Sequence, residues 1–375
     1  MKKICVVITT RGNYAKTKTL IRYLKADPEV ELQLIFGGGA VLPKYGDVSK
    51  SIIEVPDCTI HFLLEGETLS TMAKSAGVAL IEFTTAFERL KPDVVVLVGD
   101  RFEMLAIATS ALYLNIPIAH IEGGETTGSV DDKIRNAVTQ MATWHFSATE
   151  GATYKIIACG IPAPYIWRVG ATSLDVIAEI DTDNLDPIME AQKESGLGVT
   201  VDVYKPYLLV SQHPVTTEYE DNYTNIGYTI RALQMAPYSD LNMPLVWIWP
   251  NMDGGSDGIT KGIREFRESG NVDNVHFFRG LPIELFAPLL NNAACIVGNS
   301  SAGIRESSFL GTPCVNIGTR QSGRERASNV VDCGHSVNEI REAVRFQMDH
   351  GKYAPSYLYG DGHAGKRIAE VLSCG

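Results

Sequence analysis

Short β-branched apolar runs at residues 4–8, 31–36, 94–98, 116–121 and 145–148 alternate, for the most part, with segments of helical periodicity, among them 19–24 and 76–90. Runs of this length and composition suit strands buried on both faces, and their alternation with helices is that of βα units feeding a parallel sheet. A second series, at 207–210, 245–249, 275–278, 295–297 and 313–316, repeats the architecture without repeating the sequence. The expected fold class is therefore α/β, with two doubly wound sheets. Ligands of such sheets bind beyond the carboxyl ends of the strands, which here would line an interdomain cleft. Between the two series, 175–203 carries an acidic stretch from Asp181 to Asp186 and the glycines Gly196 and Gly198. That places the boundary near Gly170–Ser173 and makes 181–198 a surface excursion of the second domain. The expected domains are residues 1–172 and 173–363, with a last helix over 364–372.

A length of 375 residues agrees with two domains and excludes a single small binding module. Forty-four acidic residues against 33 basic ones leave a net charge of −11, which opposes non-specific attraction to nucleic acid or to an anionic membrane. An anionic ligand must then be held by local groups. The seven cysteines are scattered, with no C-x-x-C pair and no histidine at ligand spacing, so neither disulfides nor a structural zinc site is expected. The opening MKKICVVITT is too short an apolar run for a signal peptide or a membrane span, which points to a cytoplasmic protein. There is no repeat period, heptad or low-complexity tract.

Three constellations carry chemistry. The first run ends in Thr9-Thr10-Arg11-Gly12-Asn13-Tyr14 directly before a helical segment. A strand-to-helix turn offers backbone N–H groups to an anion, and Arg11 adds a planar fork of donors suited to phosphate. The same Arg equally suits an ordinary solvated turn, and neither G-x-G-x-x-G nor a P-loop sequence is present. In the second constellation, Asp100 follows the buried run 94–98, Glu122 and Glu125 follow 116–121, and Asp131-Asp132 precedes a helical segment. Individually these acids suit helix caps or a pairing of Asp100 with Arg101. Three segments in register instead aim carboxylates at one mouth of the sheet, where acids without basic partners invite a catalytic use.

The third constellation follows the run 295–297: Gly298-Asn299-Ser300-Ser301-Ala302-Gly303-Ile304-Arg305-Glu306. Ser300, Ser301 and the N–H groups from Ala302 onward are the expected diphosphate cradle, and Glu306, about one turn into the helix, is placed to accept from both hydroxyls of a ribose. His213 ends the first strand of the second series, facing that turn. Phe278, in Phe277-Phe278-Arg279-Gly280, is a candidate to stack on a base, although adjacent aromatics suit a core equally well. Trp247 and Trp249 read as packing.

Taken in order, Arg11, Gly99–Met104, His120–Glu125, Asp131–Arg135, His213, Gly298–Glu306 and Asn316–Arg324 resemble the hydrolysing UDP-N-acetylglucosamine 2-epimerases of bacterial sialic acid and legionaminic acid synthesis. The match spans nearly the whole chain. The non-hydrolysing branch has a His-Val-Glu-Ala-Gly-Leu type of segment where this chain has His120-Ile121-Glu122-Gly123-Gly124-Glu125. The resemblance implies a GT-B-like pair of Rossmann-like domains, the nucleotide sugar between them and the last helix, 364–375, packed back on the first domain. It implies loss of the C2 hydrogen with expulsion of UDP, a 2-acetamidoglucal intermediate, and addition of water to give N-acetylmannosamine. Asp100, Glu122 and Asp131 become the acid/base carboxylates, and His213 lies by the leaving phosphate. Substrate binding falls to Arg11, Gly298, Asn299, Ser300, Ser301, Glu306, Phe278 and Arg320. No cofactor, metal, nucleic acid or membrane is implied, and the resemblance implies a homodimer or homotetramer.

The first turn departs from the family pattern at two positions. The acid common two residues after the Arg is neutral Asn13 here, and Gly12 stands for Ala. This keeps a second substrate in view, a 2,4-diacetamido-trideoxy sugar on UDP or GDP. Two other classes stay open: a GT-B glycosyltransferase using a UDP-sugar donor, and a nucleotide-sugar sensor whose carboxylates only touch hydroxyls. The carboxylate set favours the epimerase.

Overall fold

A computed structural model describes residues 1–42, 54–66, 68–128, 131–234, 243–250 and 255–374. The chain divides into two units, Met1–Thr126 with Val130–Ala178 and Tyr359–Gly375, and Thr127–Ser129 with Glu179–Leu358.

The first unit is built on strands β1 (Lys2–Ile8), β2 (Val30–Gly37), β3 (Cys58–Ile60), β4 (Val94–Val98), β5 (Ile118–Ile121), β6 (Trp144–Ser147) and β7 (Ile166–Arg168). They form one parallel sheet in the order β3-β2-β1-β4-β5-β6-β7. Helices α1 (Arg11–Ala26), α2 (Leu69–Leu90), α3 (Phe102–Tyr113), α4 (Asp131–Met141), α5 (Glu150–Ala158) and α6 (Ser173–Glu179) follow their strands. The sheet is buried on both faces. Ile4, Val6, Ile8 and Val96 pack toward α1 and the chain's last helix, and Cys5, Val7, Val95 and Leu97 pack toward α2 and α3. Strand β1 therefore reads as a continuous apolar run, as parallel strands do.

The second unit repeats the design with β8 (Gly196–Gly198), β9 (Leu208–Ser211), β10 (Leu245–Ile248), β11 (Val275–Phe278), β12 (Cys295–Gly298), β13 (Cys314–Ile317) and β14 (Val330–Cys333). The order is β14-β13-β12-β9-β10-β11-β8, parallel except for β8, which runs antiparallel to β11. Its helices are α7 (Asp186–Ser195), α8 (Asn222–Gln234), α9 (Ser256–Glu268), α10 (Ile283–Asn292), α11 (Glu306–Leu310) and α12 (Val337–His350), and α13 (Ala364–Cys374) closes the chain.

Each sheet has a point where the winding reverses: β1 beside β4 in the first unit, β9 beside β12 in the second. Doubly wound sheets bind ligands at such reversals, outside the strands' carboxyl ends. Arg11 follows β1 and Asp100 follows β4; His213 follows β9 and Gly298 ends β12.

Two expectations are corrected. The division falls at Ala178/Glu179 and Leu358/Tyr359, so residues 173–178 and 359–363 stand with the first unit. The cause is Asp175, which accepts hydrogen bonds from Thr19 Oγ1, Ala364 N and Gly365 N and fastens α6 and α13 to α1. The stretch 181–198 also holds α7, whose Ile188 is buried in the second core, and the edge strand β8.

Candidate active-site residues

In the first unit the acids at the strand ends have basic partners, contrary to expectation. Asp100 pairs with Arg135, and Arg101 turns to Glu103 instead. Arg135 is almost wholly buried and also donates to Asp132 Oδ1 at 2.6 Å and to the Glu125 carbonyl at 2.7 Å. One guanidinium thus holds the β4 end, the loop after β5 and the first turn of α4, a use for which its fixed fork of donors is suited. Asp131 and Asp132 do form the first turn of α4, where negative charge complements the helix dipole.

Glu122 follows β5 with φ +65, a left-handed backbone that non-glycine residues rarely adopt. Its carboxylate is buried and meets Lys16 Nζ of α1 at 2.6 Å. Two residues on, Gly124 has φ +78, and a Cβ there would lie 2.2 Å from the Ala152 carbonyl oxygen. Only glycine fits.

Arg11 is the first residue of α1 and is partly exposed, beyond the N-cap Thr10, whose side chain accepts from Asn13 N. Asn13 is buried. Its amide donates to the Val98 carbonyl and its oxygen accepts from Thr10 Oγ1, so it ties the start of α1 to the end of β4. A carboxylate cannot donate to that carbonyl. The Thr9 hydroxyl below it reaches Glu103 Oε1 at 2.7 Å.

In the second unit Asn299 organises the strand ends. It is buried, its Oδ1 accepts from His213 N at 2.6 Å, and its Nδ2 donates to His213 O at 2.8 Å. Its own carbonyl accepts from Arg320 Nη1 and Gln321 Nε2. Gly298, at φ +139, lies so near β9 that a Cβ would stand 2.1 Å from the Ser211 carbonyl oxygen. His213 Nε2 lies 3.4 Å from Ser211 Oγ. The structure therefore brings together His213, Gly298, Asn299 and Arg320, from the carboxyl ends of three neighbouring strands and the loops after them.

The turn after β12 differs from the expected cradle. Ala302 N bonds to Ser300 Oγ, Gly303 N to Ser300 O, and Ile304 N and Arg305 N to Ser301 O. Those N–H groups are spent within and just after a 3₁₀ turn, Ser301–Gly303, which the Ser300 side chain caps. Glu306 is the first residue of the separate helix α11, with one carboxylate oxygen buried and unpartnered among the described residues. Phe278 is corrected outright: its ring is 1% exposed and packs in the second unit's core with Leu209 and Ile248, so it cannot stack on a base. Among the described residues no group of three or more His, Cys, Asp or Glu is arranged to hold a metal ion, and no helix is long and apolar enough to cross a membrane.

A family model described as UDP-N-acetylglucosamine 2-epimerase matches residues 22–373. The chain belongs to the UDP-N-acetylglucosamine 2-epimerase family. Within this 2-epimerase family it is 32% identical over 375 residues to the UDP-N,N'-diacetylbacillosamine 2-epimerase (hydrolyzing) of Legionella pneumophila, across 99% of this chain and 96% of the relative. It is 30% identical to the GDP/UDP-N,N'-diacetylbacillosamine 2-epimerase (hydrolyzing) of Campylobacter jejuni, across 91% and 86%. The UDP-N-acetylglucosamine 2-epimerase of Neisseria meningitidis is 29% identical, across 100% and 95%. A solved UDP-GlcNAc 2-epimerase structure from Neisseria meningitidis, bound to UDP-GlcNAc, superposes with a TM-score of 0.82 over the full length of both chains at 19% identity. That likeness is one of fold.

Lys16 is not singled out by the sequence, and Arg135 enters only within the Asp131–Arg135 motif, with no partner assigned to it. Arg135 stands three residues after Asp132, a spacing that joins them on one helix face, and this was the available signal. Lys16 meets a partner 106 residues away, and nothing local announces it.

Proposed function

We propose that this 2-epimerase family member is a hydrolysing nucleotide-sugar 2-epimerase, converting a UDP-activated N-acetylhexosamine and water to the 2-epimeric free sugar and UDP. The observation that carries the reading is the set of carboxylates at the carboxyl ends of the first sheet, with Glu122 held against Lys16 and Asp100 against Arg135. Asp100, Glu122 and Asp131 are assigned the proton transfers. His213, Arg11, Ser300, Ser301 and Arg320 are assigned the diphosphate, Gly298 and Asn299 shape its turn, and Glu306 takes the ribose.

In the first half-reaction a carboxylate takes the C2 proton, the C–H pair becomes the C1–C2 double bond, and the C1–O bond breaks with both electrons leaving on UDP. In the second, water adds its oxygen at C1, and a proton returns to C2 from the opposite face. No ketone acidifies C2. Acid/base help contributes about 10²–10⁴-fold, so stabilising the departing diphosphate must supply much of the rest.

A second substrate is favoured by the names of the Legionella and Campylobacter relatives: N,N'-diacetylbacillosamine, a 2,4-diacetamido-trideoxy sugar, on UDP or GDP. We assign the protein to the cytoplasm and to a homodimer or homotetramer; exposed Leu69, Ile81, Leu105, Leu112 and Tyr113 on α2 and α3 support self-association.

Incubation with each nucleotide sugar in D₂O tests the reading. Deuterium at C2 of the released sugar is the expected outcome, and the sugar turned over fastest identifies the substrate. Release of UDP only when an acceptor is added would make the protein a glycosyltransferase.

A further inference from the structure

His120 lies on β5 two residues before Glu122, is wholly buried, and has partners at both ring nitrogens. Nε2 is 3.0 Å from the Gly99 carbonyl oxygen, and Nδ1 is 3.3 Å from Thr139 Oγ1. A carbonyl can only accept, so the ring proton sits on Nε2 and the Thr139 hydroxyl donates to Nδ1. Burial pushes this imidazole down to about 4, which keeps the ring neutral near pH 7.

What hangs on the two bonds is the catalytic set. Gly99, at φ +77, immediately precedes Asp100. Thr139 lies one turn beyond Arg135 on α4, the helix that begins with Asp131. Gly123 leaves the space for this arrangement, since a Cβ there would stand 3.1 Å from His120 Nδ1 and 3.2 Å from Thr139 Oγ1. A single ring therefore ties together the three segments carrying Asp100, Glu122 and Asp131.

We propose that His120 is a positioning residue which, as its Nε2–H tautomer bridging Gly99 and Thr139, holds the three proton-transfer carboxylates in register. It does not exchange a proton with substrate. The proposal rests on the functional reading above, because that reading gives the carboxylates their task. It adds a link that Arg135 does not make: Arg135 joins Asp100, Asp132 and the Glu125 carbonyl, whereas His120 anchors the backbone before Asp100 and reaches α4 from the β5 side.

Thr139→Val removes the donor to Nδ1 with little change of volume, and Thr139→Ser keeps it. With the nucleotide sugar that the wild-type protein turns over, Thr139→Val should lower kcat about 10²-fold, as small misplacements of catalytic groups do, with KM and UDP affinity unchanged. Thr139→Ser should restore kcat, and His120→Gln, which retains an N–H toward Gly99, should fall between wild type and His120→Leu. Ring ¹⁵N NMR should find Nε2 protonated and Nδ1 bare, with Nδ1 moving in Thr139→Val. A Thr139→Val protein with wild-type kcat, a Thr139→Ser protein as slow as the valine variant, or an Nδ1-protonated ring would overturn the proposal. A wild-type protein inert toward every nucleotide sugar overturns the functional reading instead, and the NMR experiment still decides whether the tie exists.

Discussion

Glu122 is the residue on which most constraints meet. Its φ of +65 costs on the order of 1–3 kcal/mol for a non-glycine side chain. The other described non-glycine residues with positive φ, Lys91 and Asn115, sit just past helix ends, whereas Glu122 sits at the mouth of the sheet. Lys16 lies against the buried carboxylate and favours its ionised form over its protonated one. Removing the cation by Lys16→Met lets Glu122 take up a proton more readily, so protonation sets in at higher pH. If Glu122 works as a base, the acid limb of the kcat–pH profile must then move upward, while Lys16→Arg keeps a cation there and should leave the limb near its original place. The profile is measured by UDP release; a limb that stays put in Lys16→Met would remove Glu122 from proton abstraction.

At the scale of elements, what could be read from the sequence was what is encoded locally. The buried interior strands β1, β4, β9 and β11 are dense in valine, leucine, isoleucine and phenylalanine, and their runs coincide with the observed strands to within a residue or two. Strands β3, β7 and β8 were not legible, being three-residue edges with half-buried side chains that make no apolar run. The start of α1 was also obscured, because its buried face carries Asn13, Thr17 and Thr19 before Leu20. In the candidate site, the strand-end positions of Asp100, Glu122 and His213 followed from the pattern, whereas their partners are contacts across the fold. Helix α6 shows the same limit: Gly170 looked like a domain boundary, yet it packs against Gly360, where a Cβ would stand 3.1 Å from that residue's Cα. The element held there is α13, whose first N–H groups end on the buried Asp175 at 2.9 and 2.6 Å. Asp175→Asn exchanges an acceptor for a donor facing those groups. Since bonds to a charged partner contribute about 1.5–3 kcal/mol each, the variant should melt several degrees lower in a thermal scan; an unchanged Tm would show that α13 docks without this cap.

The whole molecule uses a doubly wound parallel core twice, and each unit carries two histidines whose burial disfavours the imidazolium. In the first unit His120 and His145 are both pushed down to about 4, by burial first and, for His145, by the neighbouring His120 second. In the second, burial lowers His276 and His335. An unfolded histidine takes up its proton near pH 6.5. Below that value the unfolded chain binds more protons than the folded one, so the stability present above pH 6.5 is lost as the pH falls toward 4, on the order of 2–3 kcal/mol for each of the first pair. The surface argues the other way, because acid reduces a net charge of −11 and its self-repulsion. That repulsion is screened beyond about 8 Å at physiological salt, whereas the penalty on a buried imidazolium is not. The histidines should therefore win: Tm should fall steadily from pH 6.5 to pH 4 at about 0.15 M salt, and His145→Gln, which removes one titrating ring, should fall less steeply. A wild-type Tm that holds level or rises over that interval would mean that surface charge, and not the buried rings, governs the acid response.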